Sequence, residues 1–461
     1  MDKSIEAMGK KPILPLLLSM SFPPMLSMLI QSMYNIIDSI FVARLGEDAL
    51  TAVSLAFPLQ NLVLSVAVGL GVGLNAVIAR NLGAGDVKEA ENAAAHGMVL
   101  TAVHSVMFVL IGLFLTKPFF HMFTKNEAVF TMGCQYTYLV ICFSAGSLFH
   151  IAVEKMFQST GSMVIPMLMQ GFGAIVNIIL DPIMIFGLLG FPAMGVTGAA
   201  AATLIGQFSA CILSVLLFLK KGKIKLHLRG FRFRKNTVRN IYSVAVPSAV
   251  MSSLSSILVG TLNGILSSVS QTAVAVLGIY FKLQTFVYMP ANGVVQGLRP
   301  IISYNYGAGD RRRLTATIKT ACCVIAGIMC AGMVLFIGFP EQIMRMFDAG
   351  KMMEEMGILA LRIISMGFLV SALGITFSGT FEALGLGFHS LVISLLRQFI
   401  ITIPLSVLLI QTAGVTGVWI SFPVAEAIAA VAAVILFLYV WRKKIMPFLC
   451  AQGKEEKGDM K

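Results

Sequence analysis

The chain has 461 residues, of which 57% are hydrophobic and 12% charged, with a formal net charge of +13. Soluble domains carry about 25% charged residues, so this chain has too little charge to coat about two to four water-facing domains. A mean hydropathy of +0.88 excludes an ordinary water-soluble fold and points to a bilayer, where lipid replaces water over most of the surface.

Apolar runs of about 20 residues match the length that crosses about 30 Å of hydrocarbon. The first run is too long for a cleaved signal peptide and reads as the first helix. In chain order the predicted spans are 14–43, 52–80, 92–116, 131–160, 164–189 and 194–219. A basic stretch follows, and then spans 241–267, 272–303, 315–338, 355–380, 388–410 and 415–441. Several are longer than a straight crossing needs, so tilt or kinks are expected. Pro23, Pro24, Pro166, Pro182, Pro247, Pro290, Pro404 and Pro423 lie in or beside these spans; a bundle tolerates them because neighbouring helices satisfy freed carbonyls. The seven cysteines mostly sit in apolar runs without metal-ligand spacing and read as buried free thiols. The expected fold is an all-α integral membrane protein of twelve transmembrane helices in two six-helix, pseudo-symmetric lobes. Residues 1–219 form the first lobe, 220–240 a cytoplasmic linker, 241–441 the second lobe and 442–461 a cytoplasmic tail.

The Lys and Arg placement orients this bundle. An even helix count puts both ends on one side. That side holds Lys3, Lys10 and Lys11, nine Lys or Arg between Lys220 and Arg239, the run Arg311 to Arg313, and Arg442 to Lys444. The opposite loops hold only Arg44, Lys117, Lys125, Arg345 and Lys351. Both termini are therefore expected in the cytoplasm and the protein in the cell membrane. The positive charge is a topology signal, with binding to anionic lipid as an addition and no role in nucleic-acid binding.

An internal repeat divides the chain. Asn-Leu-Gly-Ala-Gly-Asp at Asn81–Asp86 recurs as Asn-Tyr-Gly-Ala-Gly-Asp at Asn305–Asp310. At that same spacing Gly69 and Gly73 recur as Gly293 and Gly297, Leu59-Gln60 as Leu283-Gln284, Pro23 as Pro247, and Phe157–Gly161 as Phe381–Gly385. Gly195–Gly198 recurs as Gly414–Gly417 at a slightly shorter spacing. Six helices per half and a linker on the starting side make these parallel repeats, a transporter architecture with a substrate cleft between lobes. The run Gly69, Gly71, Gly73 has no strand before it, so it reads as close helix packing rather than nucleotide binding.

Two six-helix halves, the paired Asn81–Asp86 and Asn305–Asp310 loops, and Asn177-Ile-Ile-Leu-Asp181-Pro182 in the fifth helix resemble the multidrug and toxic compound extrusion (MATE) family. The resemblance covers about residues 12 to 445. It implies a V-shaped two-lobe fold and export of organic, mostly cationic compounds against inward H⁺ or Na⁺, by alternating access between the lobes.

Ionisable residues inside a bilayer are costly and read as functional by default. Asp38 lies six residues before Arg44, and Asp181 nine before Gly190, about 9 and 14 Å below the outer helix ends. Two carboxylates at similar height do not both ionise cheaply. Such a pair takes up a proton or, with Asn177 one turn from Asp181, binds Na⁺ through oxygens. In one bacterial branch of the family, matching acids in helices one and five form the cation site; that resemblance assigns coupling to Asp38, Asn177 and Asp181. In the family a Glu at the position of Glu154 often faces the cavity. Glu154, Gln158 and Glu382 are accordingly expected at the substrate cavity. Glu382 and Glu426 stand where the first half has Gln158 and Gln207, and Lys282, Arg299, Arg362 and Arg397 are expected to snorkel or pair with such acids. His104 and His150 read as packed or hydrogen-bonded side chains.

Some branches of the family carry an essential acid in helix seven or ten. Here the run from Val246 to Val269 has none, and helix ten has none before Glu382, which places coupling in the first lobe and leaves H⁺ against Na⁺ open. No Walker A motif is present, so the chain is not expected to hydrolyse ATP itself, and no clustered nucleophile or metal ligands suggest an enzyme. A lipid-linked oligosaccharide flippase of related architecture is the alternative; it requires a basic cavity for pyrophosphate. The expected partners are small-molecule drugs, organic cations and the bilayer. The chain is expected to be a monomer with no cofactor beyond the coupling ion and no metal site beyond Na⁺.

Overall fold

The computed structural model describes residues 3–227, 231–347 and 350–450. Among them, six helices form each repeat. The first six are α1 (Ile13–Ala43), α2 (Glu47–Gly83), α3 (Val87–Phe123), α4 (Glu127–Cys142 with Ala145–Ser159), α5 (Val164–Phe186) and α6 (Val196–Lys221). The second six are α7 (Lys235–Ser267), α8 (Gln271–Gly307), α9 (Arg311–Gly338), α10 (Lys351–Ser365 with Phe368–Ala383), α11 (residues 387–413) and α12 (residues 415–450). Two of these spans, α4 and α10, are bent by 41° and 50°. The helical stretch 387–450 is two arms, since Gly414 at φ 57, ψ −144 is not helical. Counting both arms, the described residues provide the twelve expected spans. Short helices Lys3–Lys10 and Pro340–Arg345 were not expected from hydropathy.

Most helices run past the predicted spans. α2 begins at Glu47 rather than 52, α3 ends at Phe123 rather than 116, and α7 begins at Lys235 rather than 241. The added turns carry polar residues that hydropathy assigns to loops, yet backbone bonding continues through them. The basic connection between α6 and α7 is consequently shorter than 220–240, and residues 228–230 within it lie outside the described residues. Helix continues to residue 450 through what was expected to be tail; residues 451–461 lie outside the described residues.

The repeated motif has a physical meaning. Gly85 and Gly309 adopt φ 78 and 70, a region a Cβ disfavours, and so end α2 and α8 sharply. Asp86 and Asp310 then cap the next helices, accepting from the Glu89 and Arg313 backbone N–H at 2.9 and 2.8 Å. Asn305 ties the second joint down: its Nδ2 donates to the Met8 and Ile301 carbonyls at 3.0 and 2.8 Å.

By packing, the chain forms two compact units: Met1–Glu6 with Leu26–Ala249, and Ala7–Met25 with Val250–Lys461. The sequence repeats and the packing units are different divisions of the chain. The repeat follows chain order, whereas packing assigns the opening part of α1 to the second unit and of α7 to the first. The paired glycines make this possible. A Cβ at Gly69 or Gly73 would come within 2.5 Å of the Ala245 carbonyl oxygen or 2.4 Å of the Ile241 one. At Gly293 and Gly297 it would meet Met25 Cγ at 2.2 Å and Ser21 Oγ at 2.6 Å. Small residues let helix backbones approach this closely in a bundle. All seven cysteines are free as expected, but only Cys134 is buried, and Cys323 and Cys450 are exposed.

Candidate functional site

The first unit gathers the predicted coupling residues. Asp38 on α1 and Asp181 on α5 each stand five residues before the last residue of their helix, about 7.5 Å in from it. Their depths match more closely than expected because Gly187, at φ 74, ends α5 before Gly190. The two carboxylates interact electrostatically. Asp181 is fully buried and Asn177 nearly so. Asn177 Nδ2 donates to Asp181 Oδ1 at 3.2 Å and to Thr203 Oγ1 at 3.4 Å. Gly173 and Gly206 bring α5 and α6 together here; a Cβ at Gly206 would lie 2.8 Å from the Gly173 carbonyl oxygen and 3.1 Å from Asn177 Cβ. Pro182 has no N–H, so the Ile178 carbonyl one turn back lacks its helical donor.

Three buried oxygens in this cluster have no hydrogen-bond partner among the described residues: Asp38 Oδ1, Asn177 Oδ1 and Asp181 Oδ2. Buried polar atoms are normally satisfied, so three oxygens of one sign in one cluster are fitted to a cation or protons. Among the described residues neither acid has a salt-bridge partner. Tyr34 and Tyr136 lie within electrostatic reach of both carboxylates, and Gln60 Nε2 donates to the Tyr136 hydroxyl at 3.0 Å. Sequence reading missed these three. Tyr34, one turn before Asp38, was the one signal available. Gln60 and Tyr136 sit on other helices, and only the fold brings them in.

The other candidates are differently placed. Lys155 Nζ pairs with Glu154 Oε1 at 2.9 Å and donates to Gln158 Oε1 at 3.0 Å, while Gln158 Nε2 donates to Glu154 Oε1 at 2.8 Å. Glu154 and Gln158 thus share a hydrogen-bonded ion-pair network with Lys155 in the first unit. In the second unit Glu382 is buried and salt-bridged to Arg299. Glu426 Oε1 lies 3.6 Å from Arg397 Nη1. Of the expected cations, Arg299 and Arg397 therefore pair with acids. His150 Nδ1 and Ser214 Oγ are 2.7 Å apart, and His104 Nε2 and the Tyr242 hydroxyl 3.1 Å, so both histidines are hydrogen-bonded.

A known family matches both halves of the repeat. The family model MatE matches residues 23–183 and 247–408. The chain belongs to the MatE family. These are membrane transporters, and the two matched stretches begin at the repeated prolines Pro23 and Pro247. The multidrug export protein MepA of Staphylococcus saprophyticus is 27% identical over 449 residues, covering 96% of this chain and 97% of that protein. An FAD transporter of Shewanella oneidensis is 25% identical over 426 residues, covering 91% and 93%. A MATE crystal structure in the bent conformation superposes with TM-score 0.90 at 25% identity, covering 98% of this chain and 100% of that one. An outward-facing multidrug resistance MATE family transporter superposes with TM-score 0.88 at 25% identity, covering 98% and 99%.

Proposed function

We propose that this MatE protein is a secondary active exporter of drugs and organic cations, driven by inward H⁺ or Na⁺ at Asp38, Asn177 and Asp181, and is not an enzyme. The observation that carries the reading is the set of unpartnered oxygens on Asp38, Asn177 and Asp181. Two carboxylates without a base, held in a low-dielectric site, gain most from binding a cation or a proton. Binding there stabilises whichever conformation closes around the ion, and so biases alternating access. A proton would satisfy one of the three oxygens; Na⁺ would draw on all of them. The membrane-embedded acids Glu154, Glu382 and Glu426 each have a basic neighbour, which supports confining coupling to Asp38, Asn177 and Asp181.

MepA relatives support a multidrug substrate range. The lysine and arginine bias supports cytoplasmic termini, a cytoplasmic connection between α6 and α7, and residence in the cell membrane. The protein acts as a monomer in this reading. The test is ethidium transport by the purified protein in proteoliposomes under an imposed pH or Na⁺ gradient. Transport under one gradient and not the other identifies the ion; no transport under either refutes the proposal.

A further inference from the structure

The second unit holds a half-buried ion pair of unusual geometry. Arg397 lies ten residues into α11, about 15 Å from its start, and Glu426 twelve residues past Gly414, about 18 Å along α12. Both are therefore deep in the bilayer-spanning part. Arg397 sits in a π-helical turn, Leu396–Ile401, that interrupts α11; such insertions mark functional positions more often than chance. Opposite it, Gly367 at the bend of α10 lets α12 close in: a Cβ there would meet Pro423 Cα at 3.1 Å and Glu426 Cγ at 3.4 Å.

The pair is incomplete. A guanidinium has five N–H donors in a rigid fork. Among the described residues its one charged partner is Glu426 Oε1 at 3.6 Å, beyond hydrogen-bond length. The Arg397 side chain nevertheless keeps 23% of its surface accessible and that of Glu426 17%. Aromatic rings flank it. Tyr280 packs on Phe422 with centroids 5.7 Å apart, and Tyr288 on Phe368 at 5.6 Å. Tyr288 is held by donating to Ser371 Oγ at 3.2 Å, and both tyrosines lie within electrostatic reach of Arg397.

We infer that Arg397 is a binding point for the anionic head, carboxylate or phosphate, of an aromatic substrate, and that Glu426 is its displaceable placeholder. The fork of donors matches a planar carboxylate or a phosphate bidentately, which the monodentate, overlong contact with Glu426 does not. An ion pair inside a membrane span contributes little net stability, so its presence there calls for another role. When an anion enters, Glu426 swings out or takes up a proton, and the ring of the ligand lies against Tyr288, which is half-buried, with the fully buried Tyr280 behind it. The inference extends the export reading to substrates of the opposite charge, and uses a lobe that the proposed coupling does not.

The test is binding, not transport: equilibrium dialysis of naphthoate and of naphthamide, its uncharged isostere, against the purified full-length protein. The wild type should prefer naphthoate by about tenfold or more, the discrimination expected of one charge-assisted contact. Arg397→Gln should erase the preference, and Glu426→Gln should raise naphthoate affinity several-fold by removing the competing carboxylate. Arg397→Gln leaves Glu426 unpaired and risks misfolding, so the double variant Arg397→Gln/Glu426→Gln provides a charge-free version, also expected to lack the preference. Equal affinity for the two probes, a preference that survives loss of Arg397, or weaker naphthoate binding in Glu426→Gln would overturn the inference. Ethidium transport by the wild type reports on the export reading separately, so failure of one is distinguishable from failure of the other.

Discussion

Gly71 on α2 faces the Lys155 side chain on α4, and a Cβ at Gly71 would come within 2.5 Å of Lys155 Cγ. The repeat pairs these positions with Val295 and Gly379, where a Cβ at Gly379 would come within 2.6 Å of Val295 Cγ1. The filled and the empty side of one contact have changed helices between the repeats. In the first repeat the space left by Gly71 admits the stem of Lys155, whose ammonium neutralises Glu154. In the second, Val295 fills the same space and α10 carries no lysine there. Gly71→Val should therefore destabilise the protein by about 1–3 kcal/mol through overpacking. Lys155→Gly carries its own loss because it strands Glu154, but combined with Gly71→Val the two losses should fall short of additive by about 1 kcal/mol or more in a double-mutant cycle read by thermal denaturation. Strictly additive losses would show that the two positions do not share a space.

A second swap concerns charge. Arg299 and Glu382, salt-bridged in the second unit, stand where the first repeat has Asn75 and Gln158. Removing one member strands a buried charge, so Arg299→Asn should cost about 3–5 kcal/mol. The double variant Arg299→Asn/Glu382→Gln, which copies the first repeat, should recover most of it. Denaturation midpoints in detergent measure both. A double variant no more stable than Arg299→Asn would mean that the arginine supports something other than Glu382.

Topology gives a prediction independent of packing. With the linker in the cytoplasm, a single cysteine between Lys220 and Arg239 in a cysteine-free background should resist impermeant thiol reagents in sealed cells. A cysteine at Lys125, on the opposite side, should label readily. The reverse pattern would invert the orientation.

The spans and the repeat were legible because both rest on one-dimensional signals, apolar run length and recurrent motifs. The cap roles of Asp86 and Asp310 follow the same logic, since an Asp after a glycine that ends a helix is a local pattern. Partnerships were less legible. Glu154 and Lys155 are neighbours in sequence, and adjacent helical positions do not face each other; their ion pair forms because Gly71 on another helix leaves room for the lysine stem. The assignment of the first part of α1 to the second unit depends on Gly293 and Gly297, in the other half of the chain, and no local pattern encodes it. Asp38 and Asp181 were found because a lone acid in an apolar run is conspicuous. Tyr34, Gln60 and Tyr136 were not, because amphipathic side chains are ordinary in membrane helices.

The sharpest prediction concerns the acidic cluster itself. Asp181→Asn and Asp38→Asn each keep shape and hydrogen-bonding capacity while removing the charge. Asp181 is fully buried and shares Oδ1 with Asn177, so the amide can replace the carboxylate without opening a cavity, and insertion and fold should survive. Gradient-driven ethidium efflux should fall by about tenfold or more, because an ion that loses its ligand no longer biases one conformation over the other. If the ion is H⁺, the residual transport should lose its dependence on the pH gradient; if Na⁺, its stimulation by Na⁺. Asn177→Ala should separate these cases, since it removes one neutral oxygen: a Na⁺ site should weaken, whereas a proton site should keep most of its coupling. Measurements at matched expression in proteoliposomes read all three variants. Full gradient-driven efflux by Asp38→Asn/Asp181→Asn would place the coupling site elsewhere, with Glu154, Glu382 and Glu426 the acids left to carry it.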